Sequence, residues 1–144
     1  MVIGIIGENC SGKTTLAHEI ERAIGAEIIS GKDYLRMARS ESEAIRLFKE
    51  KLSSAVFGDN IIYIISEPEQ VDLLPDGAVR ILVSADLDTI KERFRARMHG
   101  NLPAPVERML ERNHGVFEGG VYDYRFNGVS GDAACLCQDL SDRC

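Results

Sequence analysis

The sequence predicts a three-layer α/β domain in which a five-stranded parallel sheet carries helices on both faces. Segments of strand length alternate with segments of helical periodicity along the whole chain. One of them, Ile61 to Ile65, is apolar without alternation, as a central parallel strand covered on both faces must be. The first strand runs into the first helix through a loop bounded by Gly7 and Gly12.

The elements follow in order. Val2 to Ile6 is a short buried strand ending at Gly7. Thr14 to Ile24 is a helix, because Leu16, Ala17, Ile20 and Ile24 share a face and Gly25 is a natural stop. Glu27 to Ser30 is the second strand. Asp33 to Ala38 and Ala44 to Val56 are helical, the latter opened by a Ser40/Glu43 capping box. Ile61 to Ile65 is the third strand and, after a Pro75, Asp76, Gly77 turn, Val79 to Val83 is the fourth. Leu87 to Met98 is a helix with Asp86 and Asp88 at its positive end; Gly100, Pro103 and Pro105 interrupt, and Val106 to His114 is another. Tyr124 to Asn127 is the last strand, with Asp132 to Leu140 the closing helix. Ligands of such sheets bind at the carboxyl ends of the strands.

With 44% hydrophobic residues, the 144-residue chain can bury one core and reads as a single domain. A net charge of −6 and a pI near 5.1 argue against nucleic acid or an anionic membrane as the main partner, so any anion must be held locally. No apolar run approaches the ~20 residues of a membrane helix, and the start lacks a basic leader and a cleavage site. The expectation is a soluble, cytoplasmic protein. Cys10, Cys135, Cys137 and Cys144 are too few and too unevenly placed for a disulfide framework, and the Cys135/Cys137 pair with Cys144 lacks a fourth ligand for a metal clip. Reduced thiols are expected.

Gly7-Glu8-Asn9-Cys10-Ser11-Gly12-Lys13-Thr14 fits GxxxxGK(S/T) in full and lies between a strand and a helix, the context that motif requires. The glycines let the loop wrap a phosphate, so that the N–H groups of Asn9, Cys10, Ser11 and the following residues through Thr15 point inward, and the helix adds its positive end. Lys13 should reach the β and γ phosphates and Thr14 should place its hydroxyl on Mg²⁺. A glycine-rich turn that binds nothing would not require the lysine and threonine. Cys10 either presents its thiol to the nucleotide or is a tolerated small residue, the simpler reading. The sequence thus predicts a three-layer P-loop fold that uses ATP and Mg²⁺.

Beyond the loop, the chain resembles the nucleoside monophosphate kinases, adenylate kinase among them, and their compact relative shikimate kinase. Ile29-Ser30-Gly31-Lys32-Asp33-Tyr34-Leu35-Arg36 is similar to the segment that carries an acceptor-gripping arginine in adenylate kinases, a position Arg36 takes. Arg93-Phe94-Arg95-Ala96-Arg97 resembles the helix leading into that family's lid, which implies that Arg93 and Arg97 contact ATP and that a short lid spans about 98–105. Tyr122-Asp123-Tyr124, with Asn127, resembles the entry to the last strand in guanylate kinases. The chain departs from adenylate kinases after the third strand, where Ser66-Glu67-Pro68-Glu69 replaces a Gly-Phe-Pro-Arg turn, and in a short segment between strands two and three. No cation stands at that turn, and the small lid is of the shikimate kinase type.

Charge spacing bears on the same residues. Arg93 and Arg97 stand four apart on one helical face with no acid at helical spacing, and Arg108 and Arg112 repeat the arrangement, with Glu111 able to pair with Arg108. Each pair faces either a bound anion or only solvent. Asp33 and Glu67 are the acidic candidates: each would act on Mg²⁺ through water or take the acceptor's proton, or else Asp33 caps a helix and Glu67 is a solvated loop residue. His18, His99 and His114 read as surface residues.

The expected function is an ATP-dependent phosphotransferase with Lys13, Arg97 and Asp33 catalytic and Asp33, Arg36, Glu67, Arg108 and Arg112 on the acceptor. The first choice of acceptor is a nucleoside monophosphate, and the alternative is a hydroxyl-bearing metabolite of the shikimate type. A non-catalytic nucleotide-binding module is the rival from another class. A GTPase is excluded, because neither NKxD nor DxxG occurs. Oligomeric state is not legible.

Overall fold

A five-residue strand of isoleucine and valine satisfies its backbone only beside other strands and its side chains only between layers of helix. Five strands form in the computed structural model, which describes residues 1–144: β1 Val2–Ile6, β2 Glu27–Ser30, β3 Ile61–Ile65, β4 Val79–Ser84 and β5 Tyr124–Asn127. All pair in parallel, in the order β2-β3-β1-β4-β5. The helices are α1 Lys13–Ile24, α2 Glu41–Ala55, α3 Pro68–Val71, α4 Leu87–Arg97, α5 Ala104–Asn113 and α6 Ala134–Arg143, with a 3₁₀ helix at Asp33–Met37. No helix is long and apolar enough to cross a membrane.

The strand period of two sorts the core into two layers. Ile3, Ile5, Ile62, Ile64 and Ile81 face one side, where α1 brings Leu16 and Ile20 and α6 brings Leu136 and Leu140. Val2, Ile6, Tyr63, Ile65 and Leu82 face the other, against Phe48 and Leu52 of α2 and Tyr34 of the 3₁₀ helix. Tyr34 stacks on Phe48 with ring centroids 5.1 Å apart, and Tyr63 meets Phe48 edge-on at 4.9 Å. Ile90 of α4 and Leu110 of α5 form a third, smaller cluster with Cys10 and Ala85.

Several local expectations change. The Asp33–Met37 segment is 3₁₀ rather than α, and its N-cap is Lys32, so Asp33 is its first residue and not its cap. Ser40 does cap α2, accepting from the Glu43 N–H at 3.2 Å, but the Glu43 carboxylate turns to Arg46 instead of reaching back, so only half of the capping box forms. Glu111 does not pair with Arg108; Lys91 of α4 takes Glu111 at 2.7 Å and Glu107 at 3.3 Å, which ties α4 to α5. Residues 98–103 connect those helices, with His99 and Gly100 at positive φ of 58° and 89°.

The topology fixes where a ligand can sit. The chain leaves β1 toward β3 and β2 on one side, then crosses to β4 and β5 on the other, so the carboxyl end of β1 is the switch point of the sheet. The loop there is backed by the turn after β5. Gly128 donates its N–H to the Ser84 carbonyl at 2.7 Å, and any Cβ at Gly128 would overlap the Ser11 carbonyl. Gly128→Ala should therefore lower Tm by about 3–10 °C, the effect of overpacking by a methyl group against backbone. Gly119→Ala, where a Cβ meets nothing within 4 Å, should leave Tm nearly unchanged in the same melting experiment.

Candidate active site

A helix leaves its first N–H groups without partners unless something outside it accepts them. In α1 no side chain caps the start, and the N–H groups of Gly12, Lys13, Thr14 and Thr15 reach no backbone carbonyl. The same holds for Asn9 and Cys10 in the loop. The loop turns through left-handed conformations at Cys10, φ 65°, and Gly12, φ 108°. Unpaired donors at a helix's positive end are a cradle for an anion.

Lys13 lies within this cradle. It is buried, and its Nζ donates to the Gly7 carbonyl at 2.8 Å and the Glu8 carbonyl at 2.7 Å, so the ammonium closes the loop on itself. Burial above all, with Arg97 adding to it and Cys10 and Glu8 opposing, lowers its pKa from 10.5 to about 8. Ser11 Oγ is buried beneath the loop without a partner.

Two cavities open from the loop. One of about 280 Å³ is lined by the loop residues Asn9, Cys10, Gly12, Lys13, Thr14 and Thr15, by Ser30, Gly31, Ile64 and Ser66 at the ends of β2 and β3, and by Arg97. The other, about 400 Å³, lies between the start of α1, the end of α4 and the turn after β5, with Leu16, Arg93, Phe126 and Val129 in its walls. They share Cys10, Gly12, Thr15 and Arg97, so they lie side by side at the loop. Their two arginines differ. Arg93 donates to the Cys10 carbonyl at 3.0 Å and the Gly128 carbonyl at 2.9 Å, pinning the loop to the turn after β5. Arg97 has no acidic partner and is exposed toward both cavities.

A third cavity, about 170 Å³, adjoins the first through Asn9 and Ser66. Glu8, Glu67, Pro68 and Glu69 form one wall, and Met109, Leu110, Asn113, Val116 and Phe117 the other. Glu67 stands 4.0 Å from Lys32. The Glu69 carboxyl is held below the usual range, first by a backbone N–H and then by the neighbouring Glu67 side chain.

No protein-family model matches the chain, and no curated protein matches it in sequence. Solved structures do. An uncharacterized protein from Eubacterium ventriosum superposes with a TM-score of 0.67 at 14% identity, over 99% of this chain and 97% of that one. A gluconokinase from Sinorhizobium meliloti gives 0.64 at 14% identity, over 99% and 94%. A shikimate kinase from Acinetobacter baumannii, in complex with shikimate, gives 0.63 at 14% identity, over 96% and 89%. This is the fold of the P-loop small-molecule kinases.

Within that P-loop kinase fold, the loop residues, Thr14, Thr15, Arg93 and Arg97 come together around the first two cavities, and Glu67 lines the third. Asp33 and Arg36 do not join them: both are exposed on the 3₁₀ helix and line none of the three. Arg108 and Arg112 border a separate open depression on α5 with Pro105 and Glu111. The Cys10 thiol packs toward Ile90 and Leu110, so only its backbone serves the loop. Glu8, Ser30, Ser66 and Gln70 escaped the sequence reading. Glu8 accepts from the Gly115 N–H at 3.2 Å and from His114 Nδ1 at 3.1 Å, which makes His114 a partner of the loop rather than a bare surface residue. Buried Gln70 orients the turn after β3, its Oε1 accepting from the N–H groups of Ser66 at 3.1 Å and Glu67 at 3.3 Å. Ser66 directly after the strand, with Pro68 two residues on, is the only signal that could have flagged this turn.

MgATP should raise Tm, since a ligand at a hundred times Kd stabilises by about 2.7 kcal/mol, and Lys13→Ala should abolish most of the shift. The pH dependence has a definite sign. A lysine whose folded pKa is lowered destabilises the free protein fully below about 8 and progressively less above it, whereas a polyphosphate binds the charged form. Affinity for MgATP should thus hold below pH 8 and fall by up to about tenfold per unit above it, while free-protein stability gains from this group. Titration calorimetry at several pH values checks this against Lys13→Ala, which should show no such dependence.

Arg93 and Arg97 separate by the same melting measurement. Arg93→Ala should lower the Tm of the free protein, because hydrogen bonds from a charged donor are worth about 1.5–3 kcal/mol and two are lost. Arg97→Ala should leave that Tm unaltered and reduce only the response to MgATP.

Proposed function

We propose that the chain is an ATP-dependent kinase that phosphorylates a hydroxyl group of a small metabolite. The observation that carries this is the junction at Asn9 and Ser66, where the cavity over the phosphate loop meets a second, walled cavity large enough for a small organic molecule. The neighbours named gluconokinase and shikimate kinase, with a sugar kinase from Janibacter, support the same class of acceptor.

The loop fits ATP: its unpaired N–H groups and Lys13 suit the phosphates, and the exposed Thr14 hydroxyl at the edge of the same cavity suits Mg²⁺. Mg²⁺ would neutralise phosphate charge there. Arg97, unpaired and shared by both nucleotide cavities, would stabilise charge that develops on the transferred group. In the reaction the acceptor oxygen bonds to the γ-phosphorus, the bridging bond to the β-phosphate breaks, ADP departs, and the hydroxyl proton passes to a carboxylate. Asp33 lines none of the cavities, but it follows β2, whose Ser30 and Gly31 line the phosphate cavity; it is our assignment for that proton acceptor, reached only when the acceptor is bound. Burial above all raises the pKa of the Tyr63 hydroxyl, with Tyr34, then Glu67 and Asp33, adding to it.

A nucleoside monophosphate is the less favoured acceptor. It needs a cation at its phosphate, and the third cavity offers none. A coupled assay of ADP release over a panel of alcohols and monophosphates decides between them. With an alcohol acceptor, Asp33→Asn should lower kcat by about 10² or more, and Arg36→Ala should change neither KM. A monophosphate acceptor whose KM rises ten- to a hundredfold in Arg36→Ala would reverse the assignment. Stabilisation by MgATP without ADP release on any acceptor would make the chain a binding module.

A further inference from the structure

We propose that the acceptor carries a positive charge: a hydroxyl compound bearing an amino group, of the amino-alcohol or amino-sugar class, with Glu67 and Glu69 holding the ammonium. This deepens the kinase reading and rests on it. The third cavity joins three features that each restrict the occupant. It adjoins the phosphate cavity at Asn9 and Ser66, so whatever fills it presents a group to the transferred phosphate. Met109, Leu110, Val116 and Phe117 give it an apolar wall, which suits the carbon skeleton of a small molecule and not a bare ion. Its only charged lining residues are carboxylates, Glu8, Glu67 and Glu69, with no lysine or arginine.

The three carboxylates are not equivalent. Glu8 is spoken for by the Gly115 N–H and His114. Glu67 caps α3, its side chain accepting from the Gln70 N–H, and its one ion-pair partner is Lys32 at 4.0 Å, outside the lining. Glu69 has no ion pair, and it stands close enough to Glu67 for the two to interact. Two neighbouring carboxylates on one wall of a cavity favour a cation between them and repel an anion. The arginines that could reverse the sign are elsewhere, with Arg108 and Arg112 on the outer depression of α5 and Arg36 exposed on the 3₁₀ helix. Acceptors bearing a carboxylate or a phosphate are therefore disfavoured, although gluconate and shikimate, in the names of two structural neighbours, are both carboxylates.

The test is ADP release by the full chain with MgATP on matched acceptors: amino sugars and amino alcohols, their neutral hydroxyl counterparts, the corresponding sugar acids, and nucleoside monophosphates. We expect kcat/KM for an amine at least tenfold above that for its neutral counterpart, with the acids inactive. Glu67→Gln and Glu69→Gln should each raise the KM of the amine by tenfold or more, and by more than that of its neutral counterpart, while leaving the KM of ATP and the MgATP-induced Tm shift in place. The unchanged shift shows that the variants fold. Preference for an acid or a monophosphate overturns the proposal, and so does equal use of amine and neutral alcohol. If no acceptor in the panel turns over, the thermal shift given by each acceptor in the presence of MgADP decides: stabilisation by amines and not by acids upholds the charge assignment, and any other pattern overturns it. Loss of the kinase reading itself has a different signature, the absence of ADP release on any acceptor, whether or not MgATP raises Tm.

Discussion

Lys13 is largely buried at the edge of the cavity, and a buried charge must be matched by hydrogen bonds or by an opposite charge. The loop supplies two carbonyls, from Gly7 and Glu8, by folding back over the lysine. Curling the carbonyls inward to the ammonium leaves N–H groups of the same loop without acceptors. The loop thus holds one cation and a set of donors in one place, with no carboxylate from the loop directed at Lys13, because Glu8 is turned to His114 and Gly115. An anion satisfies both at once. The loop is not free to relax away, because Arg93 and the close approach of Gly128 clamp it to the turn after β5.

The sheet makes this possible at low cost. β1 is buried on both faces and flanked by β3 and β4, so the loop at its end starts from a central strand of the sheet. The ends of β2 and β3 contribute Ser30, Gly31 and Ser66 on one side, and the turn after β5 contributes Gly128 and Val129 on the other. The two cavities at the loop thereby open to opposite sides of one switch point. The division follows from the strand order alone, before any side chain is considered.

Strand boundaries for β1, β2, β3 and β5 are legible to the residue, because a strand covered on both faces or ended by glycine or serine leaves a sharp apolar signature. Helix α3 is not, since four residues cannot show a periodicity, and the Asp33–Met37 turn shows helical composition without saying which kind of helix. The motif from Gly7 to Thr14 identifies the loop, yet nothing in it tells that Glu8 is tethered to His114, a contact across 106 positions. Charge spacing misleads in one respect. It sees only pairs on one helix, so it joins Glu111 to Arg108, whereas Lys91 on the neighbouring helix reaches Glu107 and Glu111 together. It also groups Arg93 with Arg97, which share a face and differ in what they touch: Arg93 is committed to two carbonyls, and Arg97 is left for a ligand.

The tether on Glu8 also bears on the sign of charge along the cleft. At the loop, Lys13 and Arg97 face the space with their positive charges, and burial and mutual repulsion both lower the lysine's pKa. A step away, past Asn9 and Ser66, the walls carry only carboxylates. A cleft with opposite signs at its two ends orients a pair of ligands without help from a large lid: polyphosphate is attracted to one end and excluded from the other, and each charge is neutralised only when the correct ligand arrives. A net charge of −6 repels anions in general, so a site for one needs its cations concentrated rather than numerous. That concentration is what the fold achieves by giving Lys13 to the loop's carbonyls and Arg93 to those of Cys10 and Gly128, with Arg97, which has no acidic partner, in the lining of both loop cavities.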